Sequence, residues 1–129
     1  MILLYIATVV VFFAIDMVWL GLISKNFYAT QLGYLMRSPI NWSAAVVFYL
    51  LFIVGILFFA VYPAIQAHSI LRALYMGMLF GFFTYATYDL TNYATIRDWP
   101  FMVTIVDMIW GTVLCGAVAS ASYFVSTYL

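Results

Sequence analysis

Asp16, Asp89 and Asp107 each lie deep inside a run of apolar residues, and this placement constrains the chain more than any other feature. The sequence has four aspartates and no glutamate, so three of its four acids fall where water is scarce. A carboxylate near a bilayer centre costs about 2.5–3.5 kcal/mol on the insertion scale. Acids in such segments therefore turn towards the interior of a helix bundle, find partners, and mark a functional path. The surrounding composition agrees: 69% of residues are hydrophobic and 6% are charged, and mean hydropathy is +1.17. A soluble domain of 129 residues could not cover so much apolar surface, so the chain reads as membrane-embedded.

Four stretches have spanning length, because about 20 residues at 1.5 Å rise cross a roughly 30 Å hydrocarbon core. They run approximately Ile2–Ser24, Pro39–Tyr62, Ser69–Thr95 and Pro100–Ser122. Ser38-Pro39 places a capping hydroxyl before a proline at the first helical position, and Trp99-Pro100 repeats the proline placement. Ser69 is the expected N-cap of the third helix. The first stretch lacks a basic n-region and a small-x-small cleavage site, and is expected to be retained as a span rather than removed. The expected fold is an all-α integral membrane protein, a single four-transmembrane-helix bundle over residues 1–129. In the 25–38 connection, apolar residues at helical spacing suit a short interfacial helix, and a wet loop with aromatic anchors suits the pattern equally well.

Charge distribution sets the expected orientation. Lys25, Arg37 and Arg97 lie at one end of the spans and Arg72 at the other, which puts connections one and three in the cytoplasm and both termini outside. All three intramembrane aspartates then fall about 12–15 Å inside the cytoplasmic ends, at 1.5 Å per residue. Three helices delivering acids to one level point to a shared polar site. Desolvation and like charge both disfavour the ionised form, so at least one of the three is expected to carry a proton at neutral pH.

Two motifs frame that level. Asp16-Met17-Val18-Trp19 on the first helix recurs as Asp107-Met108-Ile109-Trp110 on the fourth, and the two helices cross in opposite senses. Inverted elements around a midplane site are a recurring transporter device. Two similar interhelix contacts serving assembly alone are the plainer account. Trp19 and Trp110 each follow an aspartate by one turn and are placed on a cavity wall. On the third helix, Tyr85, Asp89, Asn92 and Tyr93 share a face through i+3 and i+4 spacing. That face suits a ligand head group or a proton, and equally a self-satisfied structural network. Tyr34, Trp42, Tyr62 and Trp99 sit near helix ends and fit an interfacial belt. Gly77 with Gly81, and Gly116 with Ser120, offer small-residue faces for close helix packing, within one subunit or across a dimer.

Other chemistries have little support. One histidine and one cysteine, His68 and Cys115, cannot build a usual zinc site or a disulfide, and no metal site or cofactor is expected. Without a basic patch, a nucleic-acid partner is excluded. No phosphate-binding loop or nucleophile elbow is present, which leaves an enzyme no clear nucleophile beyond the carboxylates.

The segments Asp16–Gly21, Tyr88–Thr95 and Asp107–Gly111 resemble a bacterial membrane-protein family of unknown function, domain-of-unknown-function family 2177. The resemblance covers essentially the whole chain, with D-x-x-W-L-G, Y-D-L-T-N-Y-A-T and D-x-x-W-G as its signature pieces. It implies a four-helix protein of the bacterial inner membrane and assigns no activity to any residue. It also tilts the expected ligand towards an apolar or amphipathic small molecule. Three functions remain open. The first is binding or transport of a proton, cation, or small polar or lipid-like ligand. The second is assembly, as an accessory subunit. The third is a lipid- or quinone-modifying enzyme using paired carboxylates. Besides the lipid bilayer, a homo-oligomer is expected, a dimer favoured, because four helices alone enclose little volume.

The orientation is open to a direct test. In a Cys115→Ala background, Ser69→Cys should react with an impermeant thiol reagent in intact cells, and Ser38→Cys should not. The reverse labelling pattern would invert the topology.

Overall fold

In the computed structural model, residues 1–36 and 39–129 are described. Helix α1 (Ile2–Val18) widens into a π-helical turn over Trp19–Ile23, which Ser24 closes. The Ser24 N–H and Oγ both bond to the Trp19 carbonyl at 2.8 Å. Helix α2 (Lys25–Leu32) follows at once and ends in a 3₁₀ turn over Gly33–Leu35, so most of the first connection is helical. Helix α3 (Trp42–Ile56) continues through a second π-helical turn, Leu57–Val61, into α4 (Tyr62–Ala67). Helices α5 (Ile70–Thr95) and α6 (Phe101–Ser126) complete the chain, and no strand occurs among the described residues.

Four helical stretches are long and apolar enough to cross a membrane: Ile2–Ile23, Trp42–Ala67, Ile70–Thr95 and Phe101–Ser126. The third is the least apolar, with hydropathy 1.2 against 2.9 for the second, because it carries the polar stretch Thr84–Tyr93. Exposed side chains such as Leu3, Val10, Phe58, Phe83 and Ile109 cover the outside, which is the distribution a lipid solvent demands. The fully buried centre holds Phe12, Ile53, Ile56, Val61, Leu114 and Val118.

The caps correct two boundaries. Ser69 does cap α5, accepting from the Arg72 N–H at 3.2 Å. The second span, expected from Pro39, begins at Trp42 instead, because the Asn41 side chain accepts from the Ala44 N–H at 3.1 Å and supplies the cap. Ser38 and Arg37 lie outside the described residues. The same span was expected to stop at Tyr62, before Pro63, yet it runs on to Ala67. A proline interior to a helix lacks an N–H and crowds the preceding turn. The widened Leu57–Val61 turn lies just ahead of Pro63, where a π-helical turn can accommodate that mismatch. His68 then ends the helix in the left-handed region at φ 51°, with Ser69 N–H bonding to Ala64 and His68 N–H to Ile65. That pair of bonds satisfies the last free carbonyls.

Helices α5 and α6 form the closest pair, antiparallel along a seam of small residues. A Cβ added at Gly77 would stand 2.5 Å from the Cys115 carbonyl oxygen, and one at Gly81 would strike the Gly111 carbonyl. Gly111 in turn lies under the Tyr85 ring, and Gly116 sits beneath Met78 and Leu74. Ser120 bonds back to the Gly116 carbonyl at 2.8 Å within its own helix. The small-residue face expected for either a subunit or a dimer contact is thus used inside the subunit. On the other flank, α1 packs on α6, where buried Thr8 and Ser122 hydroxyls meet at 2.5 Å.

The seam has a measurable consequence. Gly81→Leu must push α5 off α6, and overpacking of this kind costs about 1–3 kcal/mol or more. The variant should melt at lower temperature in detergent with the wild-type oligomeric mass. Wild-type melting would remove the seam from any account of stability.

Candidate functional site

Between α1, α2, the first half of α3, α5 and α6 lies a cavity of about 760 Å³. It exists because α3 leaves α5 below the Leu57–Val61 turn, so that aromatic rings rather than backbones bridge the gap. Phe52 reaches across to Phe80 at 5.2 Å and to Tyr85 at 6.2 Å between ring centroids. Phe48, Tyr49 and Phe52 form one wall, and Thr84, Tyr85 and Tyr88 the facing one. Leu20, Met36, Phe48 and Tyr88 are the exposed members of its lining, so the mouth is apolar apart from the Tyr88 hydroxyl.

Two acids enter this apolar space, Asp16 and Asp107. Their motif partners meet directly: the Trp19 and Trp110 rings stack with centroids 4.4 Å apart and planes 7° from parallel. The inverted D-x-x-W motifs therefore converge through their tryptophans. Beyond that contact their surroundings differ. Tyr28 of α2 donates its hydroxyl to Asp107 Oδ1 at 2.8 Å and accepts from Trp19 Nε1 at 3.3 Å. Burial, and after it the Asp107 charge, push the Tyr28 phenol above its ordinary range, so it stays protonated and remains a donor. Asp16 is only 4% exposed and stands beside Trp110 and Tyr49. Trp110 Nε1 is nevertheless buried with no hydrogen-bond partner.

Asp89 takes a different position from the other acids. It is fully buried, neither carboxylate oxygen has a hydrogen-bond donor, and it is not among the cavity-lining residues. Its acidic neighbour is Asp107, on the facing helix. The three acids thus form a close pair, Asp89 and Asp107, with Asp16 across the cavity and within electrostatic reach of Asp107. Among the described residues no three His, Cys, Asp or Glu side chains gather as a metal ion requires.

Of the third-helix face, Tyr85 lines the cavity, whereas Asn92 and Tyr93 do not. Tyr93 is exposed and packs on Phe101, the first residue of α6, at 5.6 Å between ring centroids, on the outer surface rather than in the cavity. Trp99, expected in an interfacial belt, is buried, with Nε1 donating to Thr104 Oγ1 at 3.2 Å. The apolar lining residues, Phe48 and Phe52 among them, and the two phenols Tyr28 and Tyr49 carried no signal in the sequence that marked them as part of a site. Tyr49 stood in an unbroken apolar run with no polar neighbour to single it out. Tyr28 lay in a connection, where its Lys25-Asn26-Phe27-Tyr28 setting reads as interfacial.

Four apolar spans around an acid-bearing cavity define a polytopic membrane protein with an internal polar site. The chain belongs to a family described as "Predicted membrane protein (DUF2177)", whose model matches residues 1–124. The function of that family is unknown. No curated protein and no solved structure matches the chain.

A carboxylate as buried as Asp89, lacking donors and facing a second acid, is far cheaper to hold as the neutral acid. Infrared spectra at neutral pH should accordingly show a protonated carboxyl band that Asp89→Asn removes and Asp107→Asn leaves. Absence of the band from the wild type would refute this assignment.

Proposed function

We propose that this protein binds, and by binding transports, a small amphipathic molecule within the membrane. The observation that carries the reading is the cavity itself: about 760 Å³ of space with aromatic walls and the two carboxylates Asp16 and Asp107. That volume lies in the range of small-molecule sites, roughly 300–1,000 Å³, which are mostly apolar with a few convergent polar groups. The apolar part of the ligand rests on Phe48, Phe52 and Tyr85, and its polar part meets the acids. An exposed apolar rim suits entry from the lipid side, where an amphipathic molecule is already concentrated. A homodimer would enlarge the path that four helices enclose, and is part of the same proposal.

Orientation follows from the same ends. Tyr34 of the first connection donates to the Asp98 carbonyl of the third at 2.5 Å, so these connections share one side. Lys25 and Arg97 stand at that side and Arg72 at the other. We place the Lys25 side in the cytoplasm of a bacterium and the protein in its inner membrane.

The bond from Tyr28 to Asp107 favours a second reading, in which the acids hold α2 against the bundle. The two readings separate experimentally. The neutral fluorescent amphiphile N-phenyl-1-naphthylamine, added to protein in lipid nanodiscs, should show saturable energy transfer from tryptophan above its lipid background. Thr84→Phe, which fills the cavity from a position that bonds only to its own helix, should reduce that saturable signal at least ten-fold without lowering the melting temperature. An equally saturable signal in both proteins would place the dye elsewhere and leave assembly as the better account.

A further inference from the structure

We infer that the polar part of the ligand is an organic cation, an amine or quaternary ammonium bearing an apolar group. The inference rests on the cavity being a ligand site and names the class of molecule that it takes. Two features of the wall carry it. Among the described residues, the two charged side chains that line the cavity are both acids, Asp16 and Asp107, from different helices. The Trp19–Trp110 stack, each ring keeping the face turned away from its partner, lines the same cavity with Tyr28, Tyr49 and Tyr85, so a guest there is surrounded by aromatic rings. Aromatic faces carry negative potential and attract a desolvated cation, tryptophan most strongly. An anion in the same place would face two carboxylates and the same π faces, and like-charge contacts of that kind cost several kcal/mol.

Asp16 is the acid placed to receive the charge. Asp107 already accepts from Tyr28 and has Asp89 as its neighbour. Asp16 is buried and lines the cavity, with Trp110 and Tyr49 as its neighbours and no acid packed behind it as Asp89 is behind Asp107. The apolar rim of Leu20, Met36 and Phe48 suits a tail that remains in the lipid.

Tetraphenylphosphonium and tetraphenylborate have nearly the same shape and opposite charge, and they decide the question by displacing N-phenyl-1-naphthylamine from protein in neutral-lipid nanodiscs. Tetraphenylphosphonium should displace the dye at a concentration at least ten-fold lower than tetraphenylborate. Asp16→Asn should bring the two ions within about three-fold of each other, each displacing concentration being taken relative to that variant's own dye affinity. Equal potency of the two ions in the wild type, or preference for the borate, would overturn the cation assignment and leave the cavity reading intact. A preference for the phosphonium that survives in Asp16→Asn and also in Asp107→Asn would equally overturn it, since the acids would not be its source. Loss of saturable dye binding in the wild type would instead strike the cavity reading itself.

Discussion

The contact between α5 and α6 sets the position of nearly everything else. Gly77, Gly81, Tyr85 and Asp89 recur every four residues on α5, and Asp107, Gly111, Cys115 and Ala119 do so on α6. Residues at this spacing form one stripe along a helix. The glycines let the backbones approach until Gly81 meets the Gly111 carbonyl, and the antiparallel register follows: Gly77 opposite Cys115 and Ala119, Tyr85 opposite Gly111. One turn further along, that register brings Asp89 beside Asp107. Within a bilayer, apolar burial gives helices little reason to associate, and close van der Waals packing of small residues takes over that role. The acid pair is held by the seam and does not hold it.

A tight seam on one side permits a loose one on the other. Because α6 is bound to α5 and to α1, the second span can cross at an angle, touching α5 through the Leu57–Val61 turn and leaving it towards Trp42. The widening at that turn coincides with Pro63, so a backbone irregularity and the opening of the cavity share one origin. The other π-helical turn, Trp19–Ile23, aligns with the opposite wall. It brings the chain round within Ser24 so that α2 doubles back and Tyr28 meets Asp107. Such widened turns occur often at functional sites. Here each one shapes a side of the same space.

Much of this was legible before any coordinates. Hydropathy alone located the four spans to within a few residues, because the bilayer allows only helices of a set length. Ser69 announced its cap, while Asn41 did not, since Ser38-Pro39 offered a stronger signal three residues earlier. The recurrence of Asp and Trp was visible, but the stacking of the two indoles was not, because periodicity fixes a face and says nothing of which helices adjoin. Asn92 and Tyr93 were grouped with Asp89 by spacing. A helical face about 100° wide holds both buried and outward positions, and Tyr93 fell on the outward side. The Gly77-x-x-x-Gly81 step was plain, yet its partner surface, Gly111 and Cys115, was not, because those residues are small without forming the same step.

The inverted D-x-x-W elements suggest symmetry, and the way it is broken is the more instructive part. Trp19 and Trp110 are equivalent in their stack, but Asp16 and Asp107 are not. The chain adds α2 on one side only, and its Tyr28 bonds to Asp107. It adds the Asp89 carboxyl on the same side through the α5 seam. Asp107 therefore accepts from Tyr28 and has an acid at its back, whereas Asp16 lines the cavity with aromatic neighbours. A matched pair of acids would compete for a single guest charge and give it no preferred site. Two inequivalent ones divide the work: in the reading proposed above, Asp107 with Asp89 and Tyr28 fixes the geometry of the wall, and Asp16 is left to meet the guest.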